Sequence, residues 1–169
     1  MTAADNEEWH ADDAGQVIRQ LGMTPLKMEG GYCRELYRCA APAGDGRHAC
    51  GTSIYYLLRR QDRSCWHRVA SDEIWFYHGG APALQLIVHP DGRAERVVIG
   101  LGPGRTPQSI VPGGSWQTAI LLPGTPGEWG LFGAAVFPGF EYADFTAADD
   151  GEMLAAYPQL ADFLAEAAV

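Results

Sequence analysis

Three side chains of one short stretch, WHRVASDEIWFYHGG at residues 66–80, could do chemistry together: His67, Glu73 and Tyr77. Alternate residues of a strand share a face, so His67 points with Val69, and after a turn at Ala70-Ser71, Glu73 points with Trp75 and Tyr77. A carboxylate beside an imidazole stabilises the charged ring and brings it to acid-base work near neutral pH. His67 is then the base, Glu73 its charge partner and Tyr77 the opposing acid. Gln117, on the strand expected from VPGGSWQTAIL, could reach the same space. The plain alternative is a buried histidine and glutamate that satisfy one another.

Other residues could hold a ligand. Gln108 and Gln117 could bond a hydroxyl or carbonyl, or satisfy backbone groups at strand ends. Tyr55 and Trp75 offer stacking faces, and Arg34 could meet an anionic group or pair with a carboxylate. Trp116 alternates out of phase with Gln117 and reads as core, whereas His78 is out of phase with Glu73 and reads as exposed. His10, His48 and His89 sit in expected loops or helix and take no role. No glycine cluster follows a strand and opens a helix with a lysine in place, so no phosphate loop or organic cofactor is signalled. No G-x-S-x-G is present, and Ser64-Cys65 beside His67 cannot pair with it because adjacent strand residues point apart.

The elements that must position these groups are short. DDAGQVIRQLGM places Val17, Ile18 and Leu21 at helical spacing, which predicts a helical lid over about 9–22. From residue 31 to about 140, runs rich in Tyr, Val, Ile and Trp are broken by Gly, Pro and Asp at intervals of roughly ten residues, the texture of an antiparallel β-sandwich or barrel. Strands are expected near 32–40, 51–59, 64–69, 72–78, 83–89, 94–99, 108–111, 116–122 and 129–137, with a hairpin turn at Asp91-Gly92. Helical periodicity returns over about 149–168, where Pro158 should divide two short helices over a barrel end or edge.

The chain has 169 residues, 47% of them hydrophobic, enough for one core and a single domain over 1–169. A net charge of -9 with no basic run beyond Arg59-Arg60 argues against nucleic acid as a partner. No apolar run is long enough to span a bilayer, and the acidic first ten residues lack the pattern of a signal peptide. The four cysteines, Cys33, Cys39, Cys50 and Cys65, show no C-x-x-C spacing and read as free thiols, in keeping with a cytoplasmic protein.

These residues also carry a resemblance. WHRVASDEIWFYHGG with PGGSWQ resembles the two motifs of the cupin superfamily, H-x-H-x3-E-x6-G and P-x-G-x-x-H. His67, Glu73, Gly80, Pro112 and Gly114 match; Val69 and Gln117 stand where the motifs have histidines. EGGYCRELYR, TSIYYLL, PQSIVPGGSWQ and FPGFEYADF make the chain similar to the cupin type-5 family, DUF985. Where that family reads H-P-E-G-G, this sequence has Lys27 and Met28 before Glu29. The resemblance implies an all-β cupin barrel, a jelly-roll-like double-stranded β-helix with short N- and C-terminal helices, a cavity for a small-molecule ligand, and a homodimer. A typical cupin metal site has three histidines and a glutamate, so the resemblance implies, for a divalent transition metal, the ligands His67, Glu73 and the Gln117 amide oxygen, a poorer donor than imidazole. The expected function is proton transfer on a sugar-like or carbonyl compound, as in an isomerase, epimerase or dehydratase. A metal-dependent lyase or oxygenase and a non-catalytic ligand-binding protein are the alternatives.

Overall fold

The fold was taken from a computed structural model, which describes residues 13–167. Residues 9–12 of the expected first helix, with His10 and Asp12, and residue 168 of the expected last one lie outside the described residues.

Two antiparallel sheets face one another. One has the strand order β1 (Thr24–Pro25), β2 (Tyr32–Arg38), β3 (Thr52–Arg59), β10 (Trp129–Phe137), β5 (Asp72–Gly80), β8 (Gln108–Val111). The other runs β11 (Thr146–Ala148), β4 (Arg63–Arg68), β9 (Trp116–Leu121), β6 (Ala83–Val88), β7 (Ala94–Ile99). Alternation along each strand divides the two faces. On β6, Ala83, Gln85 and Ile87 face the partner sheet, while Leu84, Leu86 and Val88 face outward, and all six are buried because both faces are covered. The β6–β7 hairpin turns through Gly92 at φ +83, as the Asp91-Gly92 pair requires.

The outward faces explain the helices. α1 (Ala14–Gln20), capped by Asp13, lays Val17 against Leu57, Trp129 and Leu131 on the outside of β3 and β10. It is therefore a cover for a sheet face and not a lid. Likewise α2 (Asp150–Ala156), a 3-10 turn at Pro158–Leu160 and α3 (Ala161–Ala167) bury Met153, Leu160 and Phe163 against Trp66, Leu84, Leu86 and Ile120. Pro158 does divide the helices, but they cover the outer face of the second sheet instead of a barrel end. Strands β1 and β11 were not expected from the sequence; each is too short to show a period. No helix among the described residues is long and apolar enough to cross a membrane.

Candidate functional site

The space between the sheets is filled at one end and hollow at the other. At the filled end Trp75 meets Tyr56 edge-on with centroids 5.3 Å apart and Phe132 at 5.8 Å, over Ile87, Ile99 and Leu121. One step along β10 from Phe132, the inward residue is Ala134, and the next is Val136. These small side chains, with Ile54 on β3 and Val69 after β4, wall a cavity of about 140 Å³. That is below the ~300–1,000 Å³ usual for drug-sized ligands, so the cavity fits a compact molecule.

A strap of residues 138–145 closes one side with Phe140, Tyr142 and Phe145. Its backbone is tied down: Phe140 N–H donates to Thr52 Oγ1 at 3.0 Å, and Arg38 donates to Phe140 O at 3.2 Å and to Glu141 at 2.9 Å. The buried His48 adds a clamp, bonded through Nδ1 to Asp45 and through Nε2 to Asp144, while Arg47 donates to Asp144 at 2.8 Å. The sequence reading gave His48 no role; the structure gives it this structural one.

Of the titratable groups that line the cavity, His67, Glu73 and Glu29 act on one another. His67, on β4, donates Nδ1–H to the Cys65 carbonyl at 2.8 Å and stacks on Phe145 at 5.4 Å, which leaves Nε2 facing Glu29 Oε1 at 4.0 Å. Burial alone would lower the affinity of its ring for a proton, but Glu29, the Cys65 carbonyl and Glu73 together outweigh it and raise the pKa to about 9. Glu73, on β5, is held up at about 7 by burial, with His67 pulling it down, Glu29 pushing it up and the Gln117 N–H pulling it down. Glu29 accepts from Ser64 Oγ at 2.9 Å. Its place depends on the two glycines that follow. A Cβ on Gly30 would stand 2.2 Å from the Arg63 carbonyl and one on Gly31 2.6 Å from that of Leu57, both at positive φ.

His67, Val69 and Glu73 share the cavity as the alternation implies. The other expected site residues fall elsewhere. Tyr77 lies over Phe132 at the filled end and donates its hydroxyl to the Gly80 carbonyl, outside the cavity lining. Trp75 is 1% exposed and belongs to the packed core. Gln108 is exposed because Ser109 and Val111 are the inward residues of β8, the opposite phase to the one expected. Tyr55 faces outward beneath α1 and meets His78, which is exposed as expected. Arg34 is exposed and donates to the Leu21 carbonyl at 2.9 Å. Gln117 is 1% exposed and stands behind Glu73, donating to Glu73 Oε2 and accepting from Gln85 Nε2 at 3.0 Å.

Glu29, Glu35, Arg38 and Thr52 complete the polar lining and were not singled out from the sequence. For Glu29 a signal existed: a carboxylate followed by two glycines marks a close backbone approach that would aim it inward. The metal suggested by the resemblance does not fit this donor set. The Gln117 amide oxygen is taken by Gln85 and its nitrogen faces Glu73, Val69 brings no donor, and among the described residues no group of three or more His, Cys, Asp or Glu side chains is placed to hold a metal ion.

The chain matches, over residues 15–148, the family model described as cupin superfamily (DUF985). A protein from Shewanella oneidensis is similar at 32% identity and TM-score 0.79, over 87% of this chain and 91% of that one. A hypothetical protein from Leishmania major is similar at 29% identity and TM-score 0.78, over 86% and 93%. Oxalate decarboxylase from Bacillus subtilis shares the fold alone, at 18% identity and TM-score 0.52, with this chain spanning 32% of its length. No protein of curated description matches the chain.

Proposed function

The chain belongs to the DUF985 family of the cupin superfamily, and from that premise we propose that it is a small-molecule enzyme that moves protons at a carbon next to a carbonyl. The observation that carries this reading is a pair of buried groups facing one small cavity whose proton affinities are set apart around neutrality, His67 at about 9 and Glu73 at about 7. Near neutral pH these upward shifts favour a protonated His67 and let Glu73 pass between its two forms. Glu73 takes the proton from the substrate carbon while His67 gives its Nε2 proton to the carbonyl oxygen, leaving a neutral enol. Return of a proton to a neighbouring atom or to the other face gives an isomer or epimer; loss of a hydroxyl gives dehydration. Glu29 keeps the imidazolium charged and oriented. These roles differ from those expected from the sequence, His67 as base, Glu73 as its charge partner and Tyr77 as acid: a ring that already holds its proton serves as the acid, which leaves Glu73 as the base and Tyr77 without a part.

The charge of the lining narrows the substrate. Arg38 donates from all three of its nitrogens to Glu35, Glu141 and the Phe140 carbonyl, so it has little left for an anion. The described lining thus carries three carboxyl groups, Glu29, Glu35 and Glu73, against two cations, Arg38 already paired with Glu35 and His67 facing Glu29 and Glu73. That lining suits an uncharged hydroxycarbonyl compound, such as a small sugar, and disfavours a dicarboxylate or phosphate.

The test is proton exchange. Neutral hydroxyaldehydes and hydroxyketones are screened by thermal shift, and hits are incubated with protein in D2O while NMR follows deuterium at the carbon beside the carbonyl. Enzyme-dependent exchange that falls about 100-fold or more in His67→Ala supports the reading. Saturable binding with no exchange would make the chain a ligand-binding protein.

A further inference from the structure

We propose that Ser109, Gln85 and Gln117 are positioning residues, a one-way chain of donors that holds Oε2 of Glu73 as an acceptor and leaves Oε1 as the oxygen that takes and gives the proton. The inference rests on the reading that Glu73 exchanges a proton in the cavity. Ser109 Oγ donates to Gln85 Oε1 at 2.6 Å, Gln85 Nε2 donates to Gln117 Oε1 at 3.0 Å, and Gln117 Nε2 donates to Glu73 Oε2. The three positions are 5%, 0% and 1% exposed, and the chain crosses between the sheets, from β8 to β6 and β9 and back to β5.

Its direction follows from its end. An ionised carboxylate only accepts, so the Gln117 nitrogen must face it, which turns the Gln117 oxygen to Gln85 and the Gln85 oxygen to Ser109. With an N–H already on Oε2, a proton placed there would oppose another donor. The proton therefore sits on Oε1. A fully buried chain of two amides and a hydroxyl is a costly way to fill a core that apolar side chains of similar size would fill as well. Its linkage to a cavity carboxyl gives it a use. The position where the superfamily motif has a histidine has thus become the last link of a carboxyl-holding chain.

The experiment is a carboxyl ¹³C NMR titration of Glu73 in the full, substrate-free chain, with Glu73→Gln identifying the resonance. Removing a donor from a charged acceptor makes the charged form less favourable, so Gln117→Leu should raise the titration midpoint by about one unit or more. Gln85→Leu should raise it less and Ser109→Ala least, in the same direction, because each acts only through the next link. Ser109→Thr, which keeps the hydroxyl, should titrate with the wild type. A loss of packing alone would not produce this ordering or the rescue. Should Gln117→Leu fail to fold, the Ser109 variants and Gln85→Leu decide. Midpoints unchanged in Gln85→Leu and Ser109→Ala, with otherwise native amide spectra, overturn the proposal. Since no substrate is present, this outcome is independent of exchange activity: absent exchange with ordered midpoints would sink the enzymatic reading and spare the chain of donors.

Discussion

The two ends of one barrel interior are built from the same strands yet follow opposite rules. Along β10 the inward residues pass from Phe132 to Ala134, along β5 from Trp75 to Glu73, and along β3 from Tyr56 to Ile54. At the filled end, interlocked aromatic rings supply apolar burial and dispersion contacts. At the hollow end the side chains shrink and the buried groups become titratable, which forgoes packing and leaves Glu73 and Glu29 close enough to His67 for their charges to interact. The filled end is packed and the hollow end is a cavity lined by titratable groups, so a residue's distance along a strand decides which penalty its loss incurs.

Substitutions should separate the ends by size of effect. Phe132→Ala, at 0% exposure, should lower unfolding free energy by about 3–5 kcal/mol in urea titrations. A much smaller loss would mean that the filled end is not the anchor. Gly30→Ala comes next. Its φ of +103 and the 2.2 Å approach to the Arg63 carbonyl require the segment to move, costing about 1–3 kcal/mol and displacing Glu29. Retained stability together with a His67 titration unchanged by NMR would contradict this account of Glu29.

The hollow end should answer to pH instead. Both shifts there are upward, so the folded chain holds protons that the unfolded chain releases, and stability falls as pH rises. The contribution of Glu73 is complete below about 4.5 and lost through about 7; that of His67 is complete below about 6.5 and lost through about 9. The melting temperature should therefore decline from pH 6 to pH 9. Glu73→Gln, which keeps an acceptor for Gln117, should be more stable than wild type at pH 8 by about 1–3 kcal/mol and equal to it at pH 4. Equal stability at both pH values would show that the carboxyl is not strained by burial.

Much of this contrast was legible in the sequence, for a physical reason: alternation is set by the backbone. The period of two placed His67 with Val69 and predicted nine strands, all found, with boundaries off by two residues at most. It failed where phase passes through irregular backbone. The loop before β8 resets which residue points inward, so Ser109 and not Gln108 enters the interior. Tyr77 shows a second limit, since sharing a face with Glu73 says nothing about which end of the barrel a side chain reaches. The strap of Phe140, Tyr142 and Phe145 and the inward turn of Glu29 arise from loop geometry and long-range contacts, for which the sequence offered only the Glu-Gly-Gly signal.

The smallest effect belongs to Gln108→Ala. Its side chain is exposed on β8, next to an inward Ser109, and neither the filled nor the hollow end touches it. Surface changes of this kind usually alter stability by less than about 0.5 kcal/mol. Gln108→Ala should therefore match wild type in urea unfolding and in the Glu73 titration, while Ser109→Ala, one residue along the strand, moves the titration. Two adjacent polar residues then give opposite answers in one assay. A shifted Glu73 midpoint in Gln108→Ala would mean that β8 presents its other face to the cavity, and the assignment of both ends would have to be redrawn from that strand.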